Sequence, residues 1–168
     1  NGMNISGVYY EVWNEPDGPG FGNFSVGQGK DYYTLYKSTV DAILSAQNVN
    51  SFKIGGPALA DLRRCVGGGL FTCQTFWLDK FLELVARDNT RLDFISWHRY
   101  SLRMSDYKND VNFILELFKK HPGLPPVEKI ITEWGSDPAR SQIHNTVFDA
   151  AHLVAAARTF IGQVDLAT

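Results

Sequence analysis

Two glutamates in this sequence have the type and setting that acid–base and nucleophilic chemistry requires. Glu15 and Glu133 each follow a predicted strand, and each has a tryptophan close by, Trp13 and Trp134. Glycoside hydrolysis needs two carboxyl groups facing one cleft, one to protonate the leaving oxygen and one to attack the anomeric carbon or activate water. A lone glutamate after a strand is far more often a solvated or salt-bridged side chain. The prediction therefore depends on the residues around this pair.

Polar residues near the glutamates add candidate sugar contacts. Asn14 can hydrogen-bond a sugar hydroxyl, although asparagine after a strand also commonly forms an Asx turn. His98 and Tyr100 come directly after the predicted strand at 92–97 and are two positions apart, so in an extended backbone both side chains should point to the same side, away from Trp97 and Arg99. Four aromatic side chains are candidates for stacking on sugar rings or for ordinary packing. They are Trp13, Trp134, Phe21 and Phe24.

Short β-rich runs alternate with longer amphipathic runs along the chain. The predicted strands are residues 7–13, 52–55, 92–97 and 127–132, and a fifth begins near 163–166. The predicted helices are one that begins after Asp31 as N-cap, one over 75–87, one striped by apolar residues between 111 and 118, and one over about 146–160. This alternation predicts an α/β protein with a parallel sheet and right-handed crossovers.

Two architectures share this pattern, an open doubly wound sheet and the closed (β/α)8 TIM barrel. The unusual polar and aromatic residues follow four successive strands, and in a barrel the carboxyl ends of all strands meet at one active face. The barrel is therefore favoured. Four strand–helix units are half of a barrel, and 168 residues is about 80 fewer than the roughly 250 that a complete barrel needs.

Four segments, in this order, resemble the retaining clan A glycoside hydrolases. They are Tyr-Glu-Val-Trp-Asn-Glu-Pro at 10–16, Lys-Ile-Gly-Gly-Pro-Ala at 53–58, Asp-Phe-Ile-Ser-Trp-His-Arg-Tyr at 93–100 and Ile-Thr-Glu-Trp-Gly at 131–135. The resemblance is greatest to family 39, the β-xylosidase and α-L-iduronidase family, with family 5 cellulases and mannanases more distant. It implies that residues 1–168 form a partial catalytic domain, from about the fourth barrel strand to the seventh helix and the start of the eighth strand.

The resemblance also implies roles for individual residues. Glu15 matches the family's acid/base and Glu133 its nucleophile. Asn14 matches the asparagine that binds the sugar 2-hydroxyl, and His98 and Tyr100 match a histidine and tyrosine after the sixth strand. The expected activity is cleavage of β-glycosidic bonds in an oligosaccharide or polysaccharide by a retaining mechanism, as in a β-xylosidase or glucanase. That chemistry requires no metal ion and no organic cofactor.

Two other functions remain open at this stage. A carbohydrate-binding half-barrel remnant without turnover is one, because half a barrel has two open sheet edges. Those edges predict a homodimer or a complementing chain that supplies the missing strands. An open-sheet hydrolase with a nucleophilic serine is disfavoured, since the sequence has no Gly-x-Ser-x-Gly motif.

The composition restricts the binding partners and the cellular compartment that we expect for this protein. The chain has 16 Lys and Arg against 18 Asp and Glu, a net charge of −2, which gives no electrostatic footprint for nucleic acid or an anionic membrane surface. No apolar run approaches the roughly 20 residues that cross a bilayer. Cys65 and Cys73 are either a disulfide or two free thiols, and they are a poor zinc site without a clustered histidine. A disulfide favours a secreted or extracellular protein, although no signal peptide is visible.

Overall fold

A computed structural model of the chain describes residues 5–66 and 73–168. The strands are β1 (Val8–Glu11), β2 (Phe52–Leu59), β3 (Cys65–Val66), β4 (Thr75–Phe76), β5 (Phe94–Tyr100), β6 (Glu128–Gly135) and β7 (Leu166–Ala167). The helices are α1 (Tyr32–Ser45), α2 (Trp77–Asp88), α3 (Met104–Lys120) and α4 (Val147–Phe160), and a single 3₁₀ turn spans Pro19–Phe21. None of the helices in the described ranges is both long and apolar enough to span a bilayer.

Five parallel strands form the main sheet in the order β1-β2-β5-β6-β7. Each new parallel strand is added to the same side of the one before it, with a helix in between. A doubly wound sheet instead reverses its strand order at a switch point. The prediction of a partial (β/α)8 barrel is confirmed, and the open-sheet alternative is wrong.

The hydrophobic core lies between the outer face of the sheet and the helix layer. Aromatic rings fill much of the space under α1 and α2, where Tyr36 and Phe81 are fully buried and meet edge to face with ring centroids 5.1 Å apart. Asp31 is the N-cap of α1, as predicted, and its side chain accepts hydrogen bonds from the amides of Tyr33 and Thr34. The first crossover helix therefore begins at a fixed residue and packs on the sheet.

The outer face of β5 also carries a buried ion pair. Arg99 points into the helix layer, as its position in the strand predicts, and its Nη2 donates to Asp110 Oδ1 of α3 over 2.7 Å. Asp110 is fully buried and also pairs with Arg63 at 2.8 Å. A buried carboxylate needs such partners, and the pair fixes α3 against the strand that carries His98.

The segment around the cysteines differs from the prediction. Residues 75 and 76, predicted as helix, form β4 and pair antiparallel with β3, so α2 begins at Trp77. Cys65 and Cys73 form a disulfide with 5.5 Å between their Cα atoms. This small hairpin follows β2 on the carboxyl side of the main sheet.

The inner face of the sheet carries a polar cluster at its amino end. Tyr9, Lys53 and Glu128 lie near the starts of their strands; Tyr9 donates to Glu128 over 3.0 Å, and Lys53 forms an ion pair with Glu128. Phe94 pairs with Glu128 in the register of β5 and β6 and shares a face with His98. The cluster and the predicted site are therefore on one face, at opposite ends of the strands.

Candidate active site

Both predicted glutamates lie at the edge formed by the carboxyl ends of the parallel strands. Glu15 is in the loop that follows β1. Glu133 lies inside β6, two residues before its end, and not after the strand as the sequence pattern predicted. The strand continues because β5 and β6 remain paired as far as Tyr100 and Gly135. For the same reason, His98 and Tyr100 are strand residues.

A bulge in β2 positions the backbone of Glu15. The register of β2 against β5 shifts between Pro57 and Leu59, and the extra residue, Ala58, has a φ of 55°. Its amide donates to Ser96 Oγ over 3.0 Å, and its carbonyl accepts from the amide of Glu15 over 3.0 Å. Bulges of this kind re-aim side chains near functional sites, and this one anchors the loop that carries Glu15.

A second bulge, in β6, decides which face Glu133 occupies. Ile131 pairs with Trp97, whereas Glu133 pairs with the next residue, His98, so that Thr132 is extra. In an unbroken strand residue 133 would lie on the same face as Ile131, towards the helices. The extra residue turns Glu133 to the inner face beside His98.

These backbone features bring four predicted side chains together. His98 Nδ1 lies 2.9 Å from Glu15 Oε1 and 3.5 Å from Glu133 Oε2. Tyr100 Oη donates to Glu133 Oε2 over 2.9 Å. A carboxylate oxygen of Glu15 lies within 4.8 Å of one of Glu133. The two carboxylates therefore face the same small volume from neighbouring parts of the sheet.

The two carboxyl groups have different surroundings. The side chain of Glu15 is 20% exposed and contacts a histidine that is only 2% exposed, whereas the side chain of Glu133 is 43% exposed. Burial, together with the hydrogen bond to the Glu133 carboxylate, raises the pKa of Tyr100 to about 12. Tyr100 is therefore neutral at physiological pH and is available as a donor to Glu133.

Trp13 and Asn14 directly precede Glu15 in the loop that follows β1. Trp13 is half-exposed, and its indole N–H donates to the carbonyl of Phe21 over 2.7 Å. Both residues line an open cavity of about 590 Å³. Phe24, another stacking candidate, packs edge to face under Trp13 with 5.6 Å between ring centroids. Trp13, Asn14 and Phe21 thus lie at the cavity surface, and Phe24 supports them.

Trp134 lies elsewhere. Its ring packs edge to face on Phe160 of α4, with centroids 5.0 Å apart, and is only partly exposed. Because Glu133 faces inward, its neighbour in the strand faces the helix layer. The structure does not bring Trp134 to the carboxylates, and its role is packing.

Sequence reasoning missed two polar residues that hold this edge in place. Ser96, two positions before His98 on the same face, accepts the amide of the bulged Ala58. Asp17 is buried, and its carboxylate accepts hydrogen bonds from the amides of Ala60 and Asp61, each over 3.0 Å. Burial raises the pKa of Asp17, although these two hydrogen bonds act to lower it. The only sequence signal for Asp17 was its position two residues after Glu15.

Three side chains of the candidate site could also serve as ligands for a metal ion. Glu15, His98 and Glu133 each offer one ligand atom within 4.8 Å of the others. Two carboxylates and one imidazole can contact a divalent cation. The arrangement equally suits two carboxylates acting on a substrate, with the histidine holding them.

Comparison with known proteins places the chain in a family. The model for glycosyl hydrolases family 39 matches residues 2–167. The chain belongs to this family. The resemblance predicted from its four sequence segments is confirmed over nearly the whole length.

Individual relatives agree in fold. A β-xylosidase from Geobacillus stearothermophilus is 25% identical over 162 residues, which are 86% of this chain and 29% of that protein. The structure of a glucosidase from Croceicoccus marinus superposes with a TM-score of 0.67 at 24% identity, over 92% of this chain and 30% of the other. A GH128 endo-β-1,3-glucanase from Amycolatopsis mediterranei, in complex with laminaritriose, gives a TM-score of 0.63 at 21% identity, over 96% of this chain and 61% of the other. The chain thus spans under a third of the first two proteins.

The packing role of Trp134 predicts an energetic coupling to Phe160. In a double-mutant cycle of Trp134→Ala and Phe160→Ala, urea unfolding should give a coupling free energy of about 1 kcal/mol, because each change removes the other ring's partner. Phe148→Ala is the matched control: Phe148 is exposed on the same helix, about 18 Å away at 1.5 Å per residue. The double-mutant cycle of Phe148→Ala with Trp134→Ala should give a coupling free energy near zero. Equal couplings in the two cycles would contradict the assignment.

Proposed function

We propose that this chain carries the two catalytic carboxylates of a retaining glycoside hydrolase acting on β-linked sugars. The observation that supports this best is the distance of under 4.8 Å between carboxylate oxygens of Glu15 and Glu133. Retaining enzymes hold their carboxyl groups about 5 to 5.5 Å apart, whereas inverting enzymes leave about 6.5 to 9.5 Å for a water molecule. The short distance between these oxygens favours the retaining reaction over the inverting one.

In the proposed mechanism Glu133 attacks the anomeric carbon while Glu15 protonates the glycosidic oxygen. Glu15 then takes a proton from water, which hydrolyses the glycosyl-enzyme and returns Glu133 as a carboxylate. Tyr100 donates to Oε2 of Glu133, so it orients the carboxylate for attack through the other oxygen. His98 contacts Glu15 and holds it at the cleft. Asn14 and Trp13 contact the sugar.

The proposed substrate is an oligosaccharide or polysaccharide with β-linkages. The β-xylosidase relative and the laminaritriose complex of the structural neighbour support this class. The alternative of a binding remnant without turnover is less favoured, since both carboxylates and their histidine and tyrosine partners are in place. Turnover by the full-length protein distinguishes the two.

Substitution of the nucleophile tests the mechanism. Glu133→Gln should lower kcat on an activated aryl β-glycoside by at least about 10³-fold, because the amide cannot form the glycosyl-enzyme. Glu15→Gln should keep most of its kcat/KM on this substrate, because the leaving group needs little protonation, while its kcat falls because hydrolysis of the glycosyl-enzyme lacks its base. In the wild type, NMR of the first product should show the β-anomer.

Glu116→Gln is the matched control, since Glu116 is exposed on α3 and pairs only with Lys119 among its described contacts. It should retain wild-type turnover. Unchanged hydrolysis by Glu133→Gln would refute the role of Glu133, and an α-anomer as the first product would refute retention.

We also propose that the open inner face is covered by a second copy or by a complementing chain that supplies further strands. Among the described residues, β1 and β7 each pair with one neighbour, and the ring of Tyr9 on the inner face is exposed. A second exposed apolar surface lies in the helix layer, on and after α4, and it would also be covered by such a partner. Its large side chains are Val147, Phe148, Leu153, Val154 and Ile161. Light scattering of the isolated 168-residue chain should therefore show association, and a soluble, well-folded monomer would contradict this.

We also propose that the protein is secreted or extracellular. The Cys65–Cys73 disulfide supports it, because such bonds persist in oxidising compartments. Intact-mass analysis of protein isolated from its source should show a mass gain of two hydrogen atoms on reduction by an added thiol. Two free thiols in that material would contradict the proposal.

A further inference from the structure

The backbones of the two candidate carboxylates are held in different ways. Glu133 belongs to β6, whose pairing with β5 continues as far as Gly135, so the sheet itself fixes its backbone. Glu15 lies in a loop, and its φ of 45° is in the left-handed region that residues with side chains seldom adopt. A backbone in this conformation persists only where its surroundings hold it. The position of Glu15 therefore depends on the groups that bind its loop.

Ser96 holds this loop through the bulge in β2. Its Oγ accepts a hydrogen bond from the amide of Ala58, and the carbonyl of Ala58 accepts one from the amide of Glu15, each over 3.0 Å. Ala58 and Ser96 are both buried, so water cannot replace the hydroxyl as the acceptor. Without the hydroxyl, the buried amide of Ala58 loses its partner, and the bulge must shift to reach another acceptor. The amide of Glu15 then moves with it.

Asp17 holds the same loop at a second point. Its buried carboxylate accepts hydrogen bonds from the amides of Ala60 and Asp61, each over 3.0 Å. Both amides belong to the segment that directly follows β2. Glu15 thus lies between two attachments to β2 and its continuation, one at its own amide and one two residues later.

These attachments reach the acid/base candidate and not the nucleophile candidate. In the described part of the chain, no hydrogen bond joins the side chain of Ser96 or Asp17 to Glu133, which is bound by Tyr100 Oη instead. A misplacement of about 1 Å in a catalytic group costs up to about 10²-fold in rate. Loss of either attachment should therefore weaken the steps that Glu15 performs and spare the attack by Glu133.

We propose that Ser96 and Asp17 are positioning residues for the acid/base step, and that they set where the carboxyl group of Glu15 stands relative to the glycosidic oxygen. This inference rests on the proposed function of Glu15 as acid/base. Neither residue touches the substrate. They act on the transfer of the Glu15 proton to the leaving oxygen, and on the return of a proton from water to Glu15 when the glycosyl-enzyme is hydrolysed.

The test uses aryl glycosides whose leaving groups differ in their need for a proton, with the full-length protein. A dinitrophenyl β-glycoside needs little protonation, and a phenyl β-glycoside of the same sugar needs much. Ser96→Ala should lower kcat/KM on the phenyl glycoside at least about tenfold and change it less than about twofold on the dinitrophenyl glycoside. Asp17→Asn, which keeps only one acceptor oxygen, should give the same pattern. Ser96→Thr, which keeps the hydroxyl, should recover most of the loss.

A double variant shows whether Ser96 acts through Glu15. Glu15→Gln alone should lower kcat/KM on the phenyl glycoside by about 10²- to 10⁴-fold, the usual contribution of a general acid. Ser96→Ala added to Glu15→Gln should cause little further loss, because the group that it positions is already absent. Equal losses from Ser96→Ala in the two backgrounds would overturn the proposal.

Thr90→Val is the matched control, because it also removes one buried hydroxyl. Thr90 precedes β5 at the amino end of the sheet, and its Oγ1 lies 2.8 Å from Tyr33 Oη. This variant should leave the ratio of the two kcat/KM values at the wild-type value. A ratio that neither Ser96→Ala nor Asp17→Asn changes would overturn the positioning role. Glu15→Gln without any dependence on the leaving group would instead refute the proposed function, and circular dichroism checks that each variant folds.

Discussion

The two bulges on either side of β5 are the constraint on which the candidate site depends. β5 lies in the middle of the sheet and carries His98, and the strands on both sides of it change register just before this residue, between Ser96 and His98. One change presents the Ala58 carbonyl to Glu15, and the other turns Glu133 inward. Regular pairing on both sides would leave Glu133 facing the helices and Glu15 without its backbone anchor.

The same arrangement gives the two carboxyl groups different chemical surroundings. Glu15 lies against a buried imidazole, whereas Glu133 is more open to solvent and accepts a hydrogen bond from a neutral tyrosine. Catalysis by two carboxyl groups requires one acid and one nucleophile, and a difference in environment is the usual way to separate such roles. Here the difference arises from position, since Glu15 is in a loop and Glu133 is within a strand.

Backbone strain is concentrated where Glu15 leaves the sheet. Trp13, Glu15 and Ala58 all have positive φ angles of 45° to 74°, a region that side-chain-bearing residues seldom adopt. Hydrogen bonds from buried side chains hold this conformation. The Asp17 carboxylate accepts from the amide of Ala60, just after β2, and the Tyr32 hydroxyl donates to the carbonyl of Val12. Strain that the surroundings maintain at one place is typical of functional sites. In this chain it fixes the acid/base candidate and the aromatic loop as one unit.

The sequence by itself determined the alternation of strands and helices, the identity of both glutamates, and the shared face of His98 and Tyr100. These features follow from local periodicity and residue type, which neighbouring residues alone decide. The tertiary structure decided that Glu133 faces inward, that Trp134 packs on Phe160, and that Thr75 and Phe76 form a strand. Each of these depends on pairing between segments far apart in the chain. A single extra residue in a strand reverses the side-chain alternation, and no local pattern around Thr132 or Ala58 reveals where the partner strand shifts.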